Sequence, residues 1–176
     1  MSELPSPGSS LLDALYRGDR EAVDAFLGAS PELTLFEASA VGDTARVHEL
    51  LMLEAGFVDL WSPDGFSALH LAAFFGNVEA AAELLRRGAD VAAVSRNELE
   101  VQPLNSAAAG GHTDVARLLL DNGADPNARD AAGFAPVHAA AQTGNDELYE
   151  LLVAHGADQE ARAADGRTPA DLRDGS

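Results

Sequence analysis

The chain has 176 residues, enough for one domain or a single repeat array with a sizeable core. Its 29 acidic and 11 basic residues leave a formal charge of −18, and every basic residue is arginine; a surface of that sign repels nucleic acid and anionic lipid headgroups and favours a basic protein partner, or simply solubility. The lack of cysteine excludes disulfides and thiolate metal sites and fits the cytoplasm, and no run approaches the roughly 20 apolar residues that a membrane helix needs.

Residues 1–9 are rich in proline and serine and are expected to be a disordered lead; no basic start followed by an apolar core marks a secretory leader. Ser10 is placed to cap a helix over 11–17, Gly18-Asp19 breaks it, and a second helix over 20–27 carries Val23, Phe26 and Leu27 on one face. Ser30-Pro31 opens a second pair, over 34–41 and 44–54, broken at Gly42-Asp43. An altered and unusually apolar connection follows, Gly56-Phe57-Val58-Asp59-Leu60-Trp61. The third pair is the clearest: a turn at Asp64-Gly65, a helix over 68–75, a break at Gly76-Asn77, and a helix over 78–87 with Val78, Ala81, Ala82 and Leu85 at helical spacing. Gly88-Ala89-Asp90 stops it. Further pairs are expected over 103–109 and 113–122, then 136–143 and 146–155; residues 164–176 begin another unit and hold one short helix. Pro103, Pro136 and Pro169 each open a helix, where proline forfeits no hydrogen bond.

These pairs repeat. Gly-Ala-Asp recurs at 88–90, 123–125 and 156–158; Leu69, Leu104 and Val137 keep the same interval of 33 to 35 residues, and so do Gly76, Gly111 and Gly144. The two additional residues of the longer interval fall between Asp90 and Pro103, in a loop, where an insertion does least damage. A turn and two short helices bury too little surface to offset chain entropy alone, so each unit needs its neighbours.

The segments Ser67-Ala68-Leu69-His70-Leu71-Ala72, Gln102-Pro103-Leu104-Asn105-Ser106-Ala107, Ala135-Pro136-Val137-His138-Ala139-Ala140 and Thr168-Pro169-Ala170-Asp171, with the Gly-Ala-Asp ends, resemble the ankyrin-repeat family and its Thr-Pro-Leu-His-x-Ala signature. The resemblance covers almost the whole chain, from about Leu11 to Arg173. It implies an all-α solenoid of about five repeats with β-hairpin-like loops. The array would be one domain over 10–176, in units of about 10–29, 30–61, 62–96, 97–129 and 130–162 with a C-terminal cap at 163–176. The lysine-free, Ala/Arg-rich composition looks like that of a GC-rich bacterial source.

The candidates for chemistry are few. His70 and His138 hold the signature position, where the resemblance implies an imidazole that links neighbouring turns. His112 follows the mid-repeat glycine, His155 ends a helix, and His48 lacks a His or carboxylate at metal-ligand spacing. No Walker loop, Gly-x-Ser-x-Gly or His-Glu-x-x-His is present. Asp90, Asp125 and Asp158 read as turn residues. No catalytic residue, metal or cofactor is expected.

The family binds proteins through the concave face made by loop tips and the exposed side of each first helix. In register, the tips hold Trp61, Pro63, Asp64 and Phe66, then Arg96, Glu98, Leu99 and Val101, then Arg129 and Phe134, and Arg167 in the cap; the first-helix positions hold Tyr16-Arg17, Ala40-Val41, Phe74-Phe75, Ala109-Gly110 and Gln142-Thr143. Trp61, Phe66, Phe74, Phe75, Arg96, Leu99, Val101, Arg129, Phe134 and Gln142 are therefore the candidate partner-binding residues, because clustered exposed aromatics mark interaction surfaces. The bland reading is that some of them turn inward over the small alanines. The expected function is non-catalytic recognition of a basic protein partner, by a monomer or weak homodimer. Self-association through the same face, or a small-ligand or enzyme site in the groove, are the alternatives.

Overall fold

The computed structural model describes residues 11–29 and 32–173. The lead at 1–9, the Ser10 cap and the Ser30-Pro31 opening expected from the sequence lie outside them. The helices pair as α1 (Leu11–Tyr16) with α2 (Arg20–Gly28), α3 (Leu35–Val41) with α4 (Thr44–Leu53), α5 (Ala68–Phe74) with α6 (Val78–Arg86), α7 (Pro103–Gly110) with α8 (Thr113–Asp121), and α9 (Pro136–Thr143) with α10 (Asp146–Ala154); α11 (Pro169–Arg173) follows, and a 3-10 turn spans Ala55–Asp59. These boundaries fall within a residue or so of those expected. The first helices stack in one layer, α3 on α5, α5 on α7, α7 on α9 and α9 on α11, and the second helices stack in another, α4 on α6, α6 on α8 and α8 on α10. This is a two-layer, all-α solenoid, in which each unit leans on its neighbours.

Small and large side chains divide the labour in the core. Leu69, Leu104 and Val137 are fully buried, as are Leu84, Leu119 and Leu152 of the outer layer. Burying one such leucine is worth about 2 kcal/mol. Ala72, Ala107 and Ala140 lie between the inner helices and let them approach closely. Departures come at the first unit, whose α2 buries no side chain.

Ties between units come from polar side chains at fixed register. The Ser67 N–H and hydroxyl donate to His70 Nδ1 at 3.3 and 2.7 Å, and His70 Nε2–H donates to the Val101 carbonyl of the next unit at 3.0 Å. Asn105 does the same with Gln102 N–H and the Ala128 carbonyl, and His138 with Ala135 N–H and the Ala161 carbonyl. On the far side of the inner helices Asn77 donates to the Ser39 and Ala40 carbonyls and Asn145 to that of Gly111. Gly76 sits so close to His112 that an added Cβ would lie 2.5 Å from its Nδ1.

The loops close as tight turns. Ser62 N–H donates to Phe66 O, Ser95 N–H to Val101 O, Asp130 N–H to Phe134 O and Ala163 N–H to Arg167 O. The tips then join in a row: Arg96 N–H to Gly65 O, Ala131 N–H to Leu99 O, Ala164 N–H to Ala132 O. They are hairpin-like without forming a strand among the described residues; one isolated bridge pairs Trp61 with Ser67. Gly65 is required twice over, by a φ of +85° and by the Arg96 backbone 2.8 Å from where a Cβ would stand. The loop insertion lies within the Ser95–Val101 turn, which is two residues longer than its counterparts.

Candidate functional site

The inner layer and the tips enclose a small apolar pocket of about 290 Å³. Phe66 comes from the tip before α5, Leu71 and Phe74 from α5, Leu99 and Val101 from the longer tip, and Tyr16 from α1. Each is held. The Phe66 ring lies 5.8 Å from the tied His70 ring. Phe74 meets Phe75 edge-on at 5.1 Å, and Tyr16 packs on both, at 6.0 and 5.5 Å. Phe74 remains 36% exposed, while Phe75 is half-buried. Such pairs add about 1 kcal/mol beyond area burial.

Leu99 is 55% exposed and stands on the inserted residues. Its tip is braced: Ser95 Oγ donates to Asn97 Oδ1, Leu99 N–H donates to the same oxygen, Val101 N–H donates to Ser95 Oγ, and Asn97 Nδ2 donates to the Asp64 carbonyl of the neighbouring tip at 2.9 Å. An exposed leucine on a braced loop loses little entropy when it is covered. His70 also borders the pocket, but both ring nitrogens are engaged and burial lowers its pKa to about 4, so it stays neutral.

Of the ten residues singled out by sequence, Phe66, Phe74, Leu99 and Val101 line this pocket. Phe75 supports Phe74 and Tyr16 from beside it. Trp61 and Arg96 border a neighbouring hollow of about 520 Å³, with the Arg96 guanidinium 4.5 Å over the indole. Arg129 is exposed and ties its own loop to the next, donating from Nη1 to the Gly133 and Arg162 carbonyls. Phe134 is half-buried, edge-on to His138 at 5.3 Å and beneath Arg167 at 5.4 Å. Gln142 is exposed on α9, on open surface shared with Asp146 and Arg173. Besides His70, Leu71, Asn105, Ser106 and Ala109, the lining residue that the candidate set omitted is Tyr16. Its signal was its register, since Tyr16 precedes Arg17-Gly18 as Phe74 precedes Phe75-Gly76.

On the other layer His48 does have a carboxylate partner, supplied by the next unit: its Nδ1 is 2.9 Å from Glu83 Oε1. Among the described residues no group of three or more His, Cys, Asp or Glu could hold a metal ion, and no helix is long and apolar enough to cross a membrane. Asp90, Asp125 and Asp158 accept from the backbone N–H two residues on, as turn residues do.

A family model described as Ankyrin repeats (3 copies) matches residues 35–130 and 104–172. The chain is 37% identical over 91 residues to protein phosphatase 1 regulatory subunit 27 of Mus musculus, covering 52% of this chain and 56% of that protein. It is 34% identical over 95 residues to the Notch-regulated ankyrin repeat-containing protein A of Danio rerio, covering 52% and 83%. A third match, 39% identical over 101 residues, is to palmitoyltransferase Hip14 of Drosophila melanogaster; it covers 56% of this chain and 15% of that protein. The chain therefore spans little more than half of the phosphatase subunit and a small part of the palmitoyltransferase.

Proposed function

The chain belongs to the ankyrin-repeat family, and from that premise we propose that it is a non-catalytic module which binds another protein through its concave face. The observation that carries this reading is the braced apolar pocket between Tyr16, Phe66, Phe74 and Leu99, open on the inner face of a chain whose formal charge is −18. Its apolar walls supply affinity, and the carboxylates around them select a partner of basic character and speed its approach. Trp61, Arg96 and Phe75 flank the pocket, and Arg129, Phe134 and Gln142 extend the surface along the array. The stacked repeats order this surface in advance, so binding costs little conformational entropy. The role of regulatory subunit in the name of the mouse relative agrees with a module that has no chemistry of its own. A monomer or weak homodimer working in the cytoplasm is the matching setting.

The test is capture of a partner by immobilised protein, parent against a Phe74→Ala/Leu99→Ala variant and a Trp61→Ala/Phe75→Ala variant. Capture is expected to fail in the variants while helical circular dichroism is kept. Equal capture by all three refutes the placement of the site. A dimer in sedimentation that the same substitutions dissolve would assign the face to self-association instead.

A further inference from the structure

Four hairpin-like tips stand in the loops of this chain, closing at 62–66, 95–101, 130–134 and 163–167. Among the described residues none precedes α3, where six positions, 29–34, separate α2 from α3. The row of inter-tip hydrogen bonds shows where the series ends. Its donors are Ala164, Ala131 and Arg96, each the residue after the first of its turn, and the residue in that position of the remaining turn is Pro63. Proline has no N–H to give, so the row stops there by its own chemistry. In place of another tip lies a recess of about 530 Å³. Leu12, Phe36, Trp61 and Pro63 make its apolar walls; Asp13, Glu37 and Asp64 make it acidic, and no arginine lines it.

We propose that this recess, left open where the second unit lacks a tip, receives the lysine or arginine of a partner segment whose adjacent bulky apolar side chain enters the Phe74 pocket. The inference rests on the concave-face reading above and gives its partner a chemistry. Tyr16 borders the pocket and Asp64 borders the recess, and the hydrogen bond between them, 3.1 Å long, is the wall the two spaces share. One extended segment crossing that wall reaches both. Glu37 gives Oε2 to the Thr34 N–H and hydroxyl, and Asp64 accepts from Tyr16 and Ser62, yet each carboxylate has about four acceptor sites and so keeps capacity for a cation. Three negative charges beside apolar walls suit a long cationic side chain, whose stem lies on Leu12 and Phe36 while its head meets the carboxylates. A second copy of this chain, at −18, is repelled, and Pro63 denies it edge pairing with the tip.

The experiment uses the full chain and its single tryptophan, Trp61, which lines the recess and reports on it by fluorescence. The probes are synthetic peptides in a glycine–serine frame: phenylalanine followed by two arginines, the same with glutamines for arginines, and the same with alanine for phenylalanine. The first is expected to shift Trp61 emission and to lose affinity as salt rises; each control is expected to bind about tenfold more weakly or worse. Neutralising the recess with Asp13→Asn, Glu37→Gln and Asp64→Asn, changes that keep shape and the Thr34 cap, is expected to cost about tenfold and to flatten the salt dependence. Equal binding of the arginine and glutamine peptides overturns the proposal, and so does no binding of any peptide at about millimolar concentration. If the triple variant binds like the parent while Phe74→Ala does not, the recess assignment falls and the concave-face reading stands. A dimer lost on Leu12→Glu would give the recess to a second copy and also overturn it.

Discussion

The Tyr16 hydroxyl donates to Asp64 Oδ2 at 3.1 Å across 48 residues of sequence, tying α1 to the tip before α5 and passing over the unit between them. That passage is open because the α3 positions in the same register are Ala40 and Val41. Burial first, then the charge and hydrogen bond of Asp64, then the charge of Asp13, push the phenol above its ordinary range. A group whose pKa is raised by folding contributes stability below its unfolded value and loses it as pH climbs past that value, here about 10. Urea midpoints of the parent should therefore fall between about pH 9 and 11, and those of Tyr16→Phe should fall less. At neutral pH the variant should be weaker by about 1 kcal/mol, the worth of one hydrogen bond. Parallel alkaline limbs in the two proteins would contradict the link.

Glu100 is the non-glycine residue with a positive φ, +50°, among the described residues. It sits in the longer tip at the register where Gly65, Gly133 and Gly166 take +85°, +79° and +87°. The left-handed conformation costs an ordinary L-residue about 1 to 2 kcal/mol, part of which glycine returns through its greater freedom when unfolded. Glu100→Gly should thus stabilise the chain by up to about 1 kcal/mol and raise the melting temperature by a few degrees in calorimetry. Binding should change little, since Leu99 and not Glu100 lines the pocket. A lower melting temperature would show that the carboxylate supports the tip.

Much of this architecture was legible because a repeat writes the same local chemistry several times. Gly76, Gly111 and Gly144 mark the same break, so helix boundaries for 35–172 could be read to within a residue or so. The signature position told the same story through different residues, His70, Asn105 and His138, which make equivalent ties. What the period does not encode is contact that depends on side-chain reach between units. Tyr16 lying on Phe74, and His48 meeting Glu83, are invisible at the spacings that define a helix face. The recess beside Pro63 was hidden for another reason: the described residues between α2 and α3 form no tip, and that short connection acquires meaning once the row of tips is seen in space. The pocket's lining was accordingly legible at Phe66, Phe74, Leu99 and Val101 and, by the same register, at Tyr16, whereas the contacts those side chains make across units were not.

Glu83 ties α6 to α4 through His48, as a carboxylate whose side chain is just 9% exposed. Burial alone would raise its pKa, but hydrogen bonds from Arg86, His48 and Arg87 outweigh that and bring it down to about 2. Arg87 Nε and Arg86 Nε both donate at 3.0 Å. A carboxylate with a depressed pKa gives stability above its unfolded value, about 4.5, and loses it as pH falls toward 2. Glu83→Gln should cost about 2 kcal/mol at neutral pH, less than a fully buried pair because Arg86 and His48 are 60% and 52% exposed. Its urea midpoints should also decline less steeply than the parent's over the acid range. Equal acid slopes would show that the charge is not what Glu83 contributes.

His70 also loses stability in acid, but because folding keeps it neutral rather than charged. Burial is the main influence and lowers its pKa from 6.5 to about 4, against the opposing pull of the Val101 and Ala93 carbonyls. The native state therefore keeps the ring neutral while the unfolded chain takes up a proton below about 6.5, so stability is complete above that pH and drains away as it falls to 4. Across that window the loss is about 3 kcal/mol, at 1.36 kcal/mol for each pH unit. Asn105 shows that a neutral amide can serve the same register, taking the Gln102 N–H and giving to the Ala128 carbonyl. His70→Asn should accordingly fold, with a cost of about 1 to 2 kcal/mol near pH 7 from the shorter reach. Its deficit against the parent should narrow on acidification and vanish or reverse by about pH 4, because the variant has no proton to take up at this position. A deficit that stays constant from neutral to acid pH would mean the imidazole is already free to protonate in the folded chain, and the tie to Val101 would then not be the buried, neutral bond that orders the pocket's rim.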